Sequence, residues 1–123
     1  MKKILVIDDN PSVRHTLGRI LQRGGYEVAT AVDGRKGMIA FRKEPPDLVL
    51  TDIIMPEREG LETIRDILAE RPGTKIIAIS GGGRIGNTDF LDLAKKMGAT
   101  DALSKPFDPD ALLELVARCL AAA

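Results

Sequence analysis

Short apolar runs alternate along the chain with helical periodicities. Ile4-Leu5-Val6-Ile7 is a continuous apolar stretch too short for a helix, and it predicts a buried strand over residues 3–7. Asn10-Pro11 then offers a capping side chain and a proline at the first helical position. Val13, Leu17, Ile20 and Leu21 recur at i, i+4, i+7 and i+8, one face of a helix that Gly24-Gly25 ends. Residues 27–31 read as a second strand, followed by a helix from Asp33-Gly34 through Met38 and Phe41 that Pro45-Pro46 stops. Leu48 to Thr51 is the third strand, and Met55-Pro56 and Gly60 mark a loop before a helix carrying Leu61, Ile64, Ile67 and Leu68. Arg71-Pro72-Gly73 breaks that helix, and Ile76 to Ile79 is the fourth strand. A glycine-rich loop leads to a helix with Phe90, Leu93, Ala94 and Met97, closed by Gly98. Ala102 and Leu103 lie in a short fifth strand, and Asp108-Pro109 caps a last helix through Leu112, Leu113, Val116 and Leu120.

Strands that are each followed by a helix need crossover connections, which are right-handed and build a parallel sheet covered on both faces. The predicted fold is therefore a doubly wound α/β sandwich with strand order 2-1-3-4-5 and five helices. The pattern shows no linker, no low-complexity segment and no second domain, so residues 1–123 are expected to form one domain without an effector domain. Ala121-Ala122-Ala123 reads as a fraying helix end or a tail.

Composition narrows the function classes. The chain has 123 residues, enough for one sizeable core, and its 18 Lys and Arg balance 18 Asp and Glu. No global basic field exists to hold nucleic acid, and no stretch approaches the roughly 20 apolar residues of a membrane span. Met1-Lys2-Lys3 precedes an apolar run too short for a signal peptide. Cys119 is the only cysteine, which excludes an internal disulfide and fits a reducing cytosol; a cytoplasmic location is expected. It lies in a helical pattern with no His or second Cys nearby, as a small packed hydrophobe would.

The chemistry lies in the residues that end the apolar runs. Asp8 and Asp9 follow the first strand, and Asp52 closes the third. In a doubly wound sheet ligands bind at the carboxyl edge, at the switch point, which for this strand order lies between strands one and three. Ser80 ends strand four and Lys105 ends strand five, so three carboxylates, one hydroxyl and one ammonium are expected over one edge. Crowded carboxylates repel unless a cation neutralises them, and a hard divalent ion such as Mg²⁺ is the natural occupant. One carboxylate could then act as a nucleophile toward phosphorus, while the hydroxyl and ammonium hold the remaining phosphoryl oxygens. Singly, each residue has a plain structural role: a turn aspartate, a solvated lysine, a serine opening a glycine-rich turn. Their coincidence at one edge is what argues for a site.

Asp8-Asp9, Asp52 with Met55-Pro56 and Gly60, Ser80, Gly98-Ala99 and Lys105-Pro106-Phe107 give the chain its resemblance, over its whole length, to response-regulator receiver domains. The resemblance implies a flavodoxin-like fold and two-component signalling, with Asp52 as the phosphoacceptor. It implies Mg²⁺ held by Asp8, Asp9, Asp52 and the backbone carbonyl of Ile54. Ser80 would contact and report the phosphoryl group, Lys105 would pair with it, and the Lys105-Pro106 bond would be cis. The phosphodonor would be a sensor histidine kinase or a histidine phosphotransfer protein. Output would pass to a downstream protein through the face built by strand four, helix four and strand five, with phosphorylation-dependent dimerisation as one route. Such a chain catalyses its own modification and slow dephosphorylation without turning over a metabolite; it is a regulator rather than an enzyme. Neither direct nucleic-acid nor membrane contact is expected.

Other readings are weaker. Gly81-Gly82-Gly83-Arg84-Ile85-Gly86 matches a dinucleotide fingerprint, but it follows the fourth strand, and the next strand ends in Lys105 where an acid should meet the ribose. An Asp-nucleophile phosphatase would place nucleophile and acid/base two residues apart after one strand, whereas here they lie on different strands. A scaffold that has lost phosphorylation is at odds with the intact set of five residues. His15 falls off the apolar face of its helix and is expected at the surface; Tyr26 is expected in packing. Ala102 stands where the family usually carries an aromatic switch, so output is expected to rest on Ser80, the Gly81–Gly86 segment and the helix after it. Ile54 and Gly82 offer no side chain to orient water, which predicts a long-lived aspartyl phosphate.

Overall fold

In the computed structural model the alternation appears in full. β1 (Lys3–Ile7) leads to α1 (Pro11–Arg23), β2 (Glu27–Ala31) to α2 (Gly34–Lys43), and β3 (Leu48–Asp52) to α3 (Glu59–Glu70). β4 (Lys75–Ser80), α4 (Asn87–Lys96), β5 (Asp101–Ser104) and α5 (Pro109–Ala121) complete it. The structure describes residues 1–53, 59–80, 87–105 and 107–121, with residues 59, 80 and 87–91 described by backbone alone. The strands form one five-stranded sheet in the order β2-β1-β3-β4-β5, with every neighbouring pair parallel. The expected strand order and winding are both present.

The pleat sorts the apolar runs between two layers. Leu5, Ile7, Val49, Ile76 and Ala78 pack with Met38 and Phe41 of α2, with Leu61, Ile64 and Ile67 of α3, and with Ala94 of α4. Ile4, Val6, Leu48, Leu50, Ile77 and Ile79 pack on the other side with Leu17, Ile20 and Leu21 of α1 and with Leu112, Leu115, Val116 and Cys119 of α5. Strands buried on both faces must read as unbroken apolar runs, which is why the sequence announces them so clearly. Asn10 caps α1 as expected, accepting from the N–H groups of Ser12 at 2.9 Å and Val13 at 3.2 Å. Asp33 and Asp108 cap α2 and α5 through the N–H groups of Lys36 and Ala111. Past α4, Gly98 adopts φ +115°, a conformation costly for any residue with a Cβ.

Several local expectations are corrected. β3 runs on through Asp52, and β4 extends from Lys75 to Ser80, because ladder hydrogen bonds are indifferent to side-chain polarity. Gly60 is not loop but the second residue of α3. A Cβ there would fall 2.5 Å from Ile53 Cα and onto the Asp52 carbonyl, so the glycine lets α3 start directly against the end of β3. On α4, Leu93 is 42% exposed while Ala94 is buried in the layer shared with α2 and α3. His15 is exposed and Tyr26 is half-buried against the α1/α5 layer, both as expected.

Candidate functional site

The register brings the acids together. Ile7 pairs with Thr51, so Asp8 follows beside Asp52, where both strands leave the sheet. The two side chains are buried, at 1% and 7% exposure, while Asp9 is exposed. Oxygens of Asp8, Asp9 and Asp52 lie within 4.8 Å of one another. Two buried carboxylates side by side require a counter-charge, and Lys105 provides it. Its Nζ donates to Asp8 Oδ2 at 3.2 Å and to Asp52 Oδ2 at 3.0 Å. Burial weighs against the ammonium more than any other single influence. Hydrogen bonding and attraction from Asp52, and then from Asp8, together outweigh it and hold the Lys105 pKa above its ordinary value. Among the described residues no buried side-chain nitrogen or oxygen lacks a hydrogen-bond partner.

Asp8 is pinned from several directions. Its backbone N–H donates to the Ala31 carbonyl at 3.2 Å, tying the end of β1 to β2. Its Oδ1 accepts from the Asn10 N–H at 2.9 Å, and its carbonyl accepts from Arg14 Nη1 at 2.8 Å. Sequence reasoning found Asn10 only as a cap and did not find Arg14. The signal was there in outline, since a long cationic side chain one turn into α1 can reach back over the strand that precedes it.

Asp8, Asp9, Asp52 and Lys105 therefore meet, as the sequence suggested. Ser80 pairs with Ser104 at the last register position of β4 and β5, which puts its backbone at the same edge. Ile54, Met55-Pro56, the Gly81–Gly86 segment and the Lys105-Pro106 bond lie outside the described residues. Ala102 packs its small side chain against the α2/α3/α4 layer.

A family profile described as the response regulator receiver domain matches residues 4–117. The chain belongs to that family. Its relatives include the chemotaxis protein CheY of Thermotoga maritima, 37% identical over 114 residues that span 92% of each chain. PilH of Pseudomonas aeruginosa is 34% identical over 121 residues, 98% of this chain and 99% of that one. The crystal structure of the NtrX receiver domain from Brucella abortus superposes with a TM-score of 0.90 at 32% identity, covering 98% of this chain and 99% of that one. Receiver domains serve phosphorylation-based two-component signalling, and membership places this chain among regulators rather than enzymes. It also implies a histidine kinase or phosphotransfer partner. No helix among the described residues is long and apolar enough to cross a membrane.

Receiver domains generally bind Mg²⁺, and the donor set here fits it. Carboxylates are hard oxygen ligands, and Mg²⁺ at about 2.1 Å from each ligand spans roughly 4 Å between opposite oxygens. The three carboxylates bring one oxygen each within 4.8 Å of the others, a separation of that order.

Proposed function

We propose that this receiver accepts a phosphoryl group on Asp52 from a histidine kinase or histidine phosphotransfer protein, with Asp8, Asp9, Asp52 and the Ile54 carbonyl holding Mg²⁺. The observation that carries the reading is the shared ammonium. Lys105 joins Asp52 to Asp8 at the switch point, beside an exposed Asp9. This arrangement supports the reading, because it holds Asp52 at the sheet edge with a neutralising group in place. An Asp52 oxygen attacks phosphorus, the bond from phosphorus to the donor imidazole nitrogen breaks, and that nitrogen keeps the electron pair and later takes up a proton. Bound Mg²⁺ would supply positive charge to the phosphoryl oxygens.

The chain's own residues do the rest. Lys105 can transfer its hydrogen bonds from the carboxylates to a phosphoryl oxygen, and Ser80 at the end of β4 supplies a hydroxyl for another. The apolar Ile54 side chain cannot align a water for attack, which favours slow autodephosphorylation. Output to a downstream protein would then pass through β4, α4 and β5, with the Gly81–Gly86 segment taking the part of the aromatic that Ala102 replaces.

Incubation with Mg²⁺ and acetyl phosphate, followed by intact-mass measurement, tests the assignment. A phosphate-sized gain in the wild type that vanishes in Asp52→Ala is expected. A gain that survives in Asp52→Ala would refute Asp52 as the acceptor.

A further inference from the structure

α1 carries a cation where helix electrostatics disfavours one. Its first turn holds no acidic residue, and Arg14 is the fourth residue of the helix, close to the positive end of the macrodipole. What holds the side chain there is the Asp8 carbonyl, which accepts from Arg14 Nη1 at 2.8 Å. The backbone N–H of Arg14 bonds the Asn10 carbonyl at 3.0 Å, so the contact starts from a formed helical turn. The Asp8 carbonyl belongs to the peptide that joins Asp8 to Asp9. A peptide is planar, so holding its carbonyl also holds the plane in which the Asp9 nitrogen and Cα lie, the base from which that side chain departs. The Asp8 carboxylate is secured separately, by the Asn10 N–H at 2.9 Å and Lys105 at 3.2 Å. The Asp9 side chain is exposed.

We propose that Arg14 is a positioning residue for the divalent-cation seat, aiming Asp9 by holding the peptide between the two acids. The inference rests on the reading that Asp8 and Asp9 hold the cation. Its two possible effects have opposite signs. As a nearby positive charge, Arg14 would weaken cation binding; as the anchor of the peptide, it strengthens it.

Calorimetric titration of Mg²⁺ into wild type, Arg14→Met, Arg14→Lys and Asp9→Ala separates them. The positioning role predicts binding about tenfold weaker in Arg14→Met, the scale expected when support behind a metal ligand is lost. Arg14→Lys keeps the charge and one donor and should recover part of that loss. Binding in Arg14→Met equal to or tighter than wild type would overturn the proposal. If Arg14→Met does not melt cooperatively, Arg14→Lys decides: a several-fold loss supports positioning, and unchanged affinity overturns it. Wild type that does not bind Mg²⁺, or Asp9→Ala that binds it as wild type does, would overturn the cation reading itself and this proposal with it.

Discussion

Replacing Lys105 with methionine removes an ammonium that touches both buried carboxylates and keeps most of the side-chain volume. Each contact, near 3 Å, is worth about 5 kcal/mol of attraction at an effective dielectric of ~20, before desolvation is charged against it. Breaking a buried pair by deleting one partner costs about 3–5 kcal/mol, because an uncompensated charge stays behind. The Lys105 side chain is 21% exposed, so water screens part of the interaction at its end of the pair. A loss of about 2–3 kcal/mol is therefore expected for Lys105→Met in EDTA at neutral pH, or roughly 8–12 °C in Tm for a domain of this size. Urea unfolding followed by circular dichroism measures it. Mg²⁺ should then stabilise the variant more than the wild type, since no ammonium competes for the acids; at a hundredfold excess over Kd the gain is about 2.7 kcal/mol. The pH dependence has a definite sign. A raised lysine pKa contributes stability that is fully present below the unfolded value and is lost as pH rises through the folded one. The gap between wild type and variant should thus hold through pH 7–9 and narrow above the ordinary lysine value of 10.5. A loss under about 0.5 kcal/mol in EDTA, within the range of an ordinary surface substitution, would refute the view that Lys105 neutralises the pair.

Gly60→Ala should destabilise by about 2–3 kcal/mol, as overpacking does, although glycine to alanine inside a helix normally gains up to about 1 kcal/mol; a melt that shows a gain would remove the close approach to Asp52 and Ile53 as its cause. Cys119 is buried, and burial holds its pKa above the ordinary thiol value, so thiol-disulfide reagent at pH 8 should react slowly with the folded chain and rapidly in urea. Equal rates in the two states would contradict its packing. Amide exchange compared with and without a phosphoryl mimic should change across residues 80–95 if output runs through that segment, and no change there would discard that route.

The layers were legible because burial on both faces gives β1, β3 and β4 continuous apolar centres, and because α1 and α5 show their apolar stripes at helical spacing. The acids were legible for the complementary reason: a carboxylate that ends a buried apolar run stands out against it. What the sequence could not settle was pairing across long separations. It placed Lys105 at the right edge but named neither of the carboxylates its ammonium contacts, Asp8 and Asp52, 97 and 53 residues away. Arg14 was missed because its partner is a backbone carbonyl, which carries no residue-type signature. Gly60 was taken for a loop residue because sequence punctuation cannot separate a turn from a glycine that admits a neighbouring backbone.

These corrections share a physical theme, which is that the site carries its own counter-ions. Asp8 and Asp52 are buried deeply enough to need a partner whatever else binds, and the folded chain supplies one ammonium to both of them. Under the proposed function, a divalent ion and a phosphoryl group enter a place already balanced. Their arrival must therefore redistribute Lys105 rather than simply add to it. A side chain that bridges β1, β3 and the end of β5 is a short path from charge at Asp52 to geometry at the sheet edge. Under the same proposal, with Ala102 at the usual aromatic position, output would start from that edge, at the lysine after β5 and the end of β4.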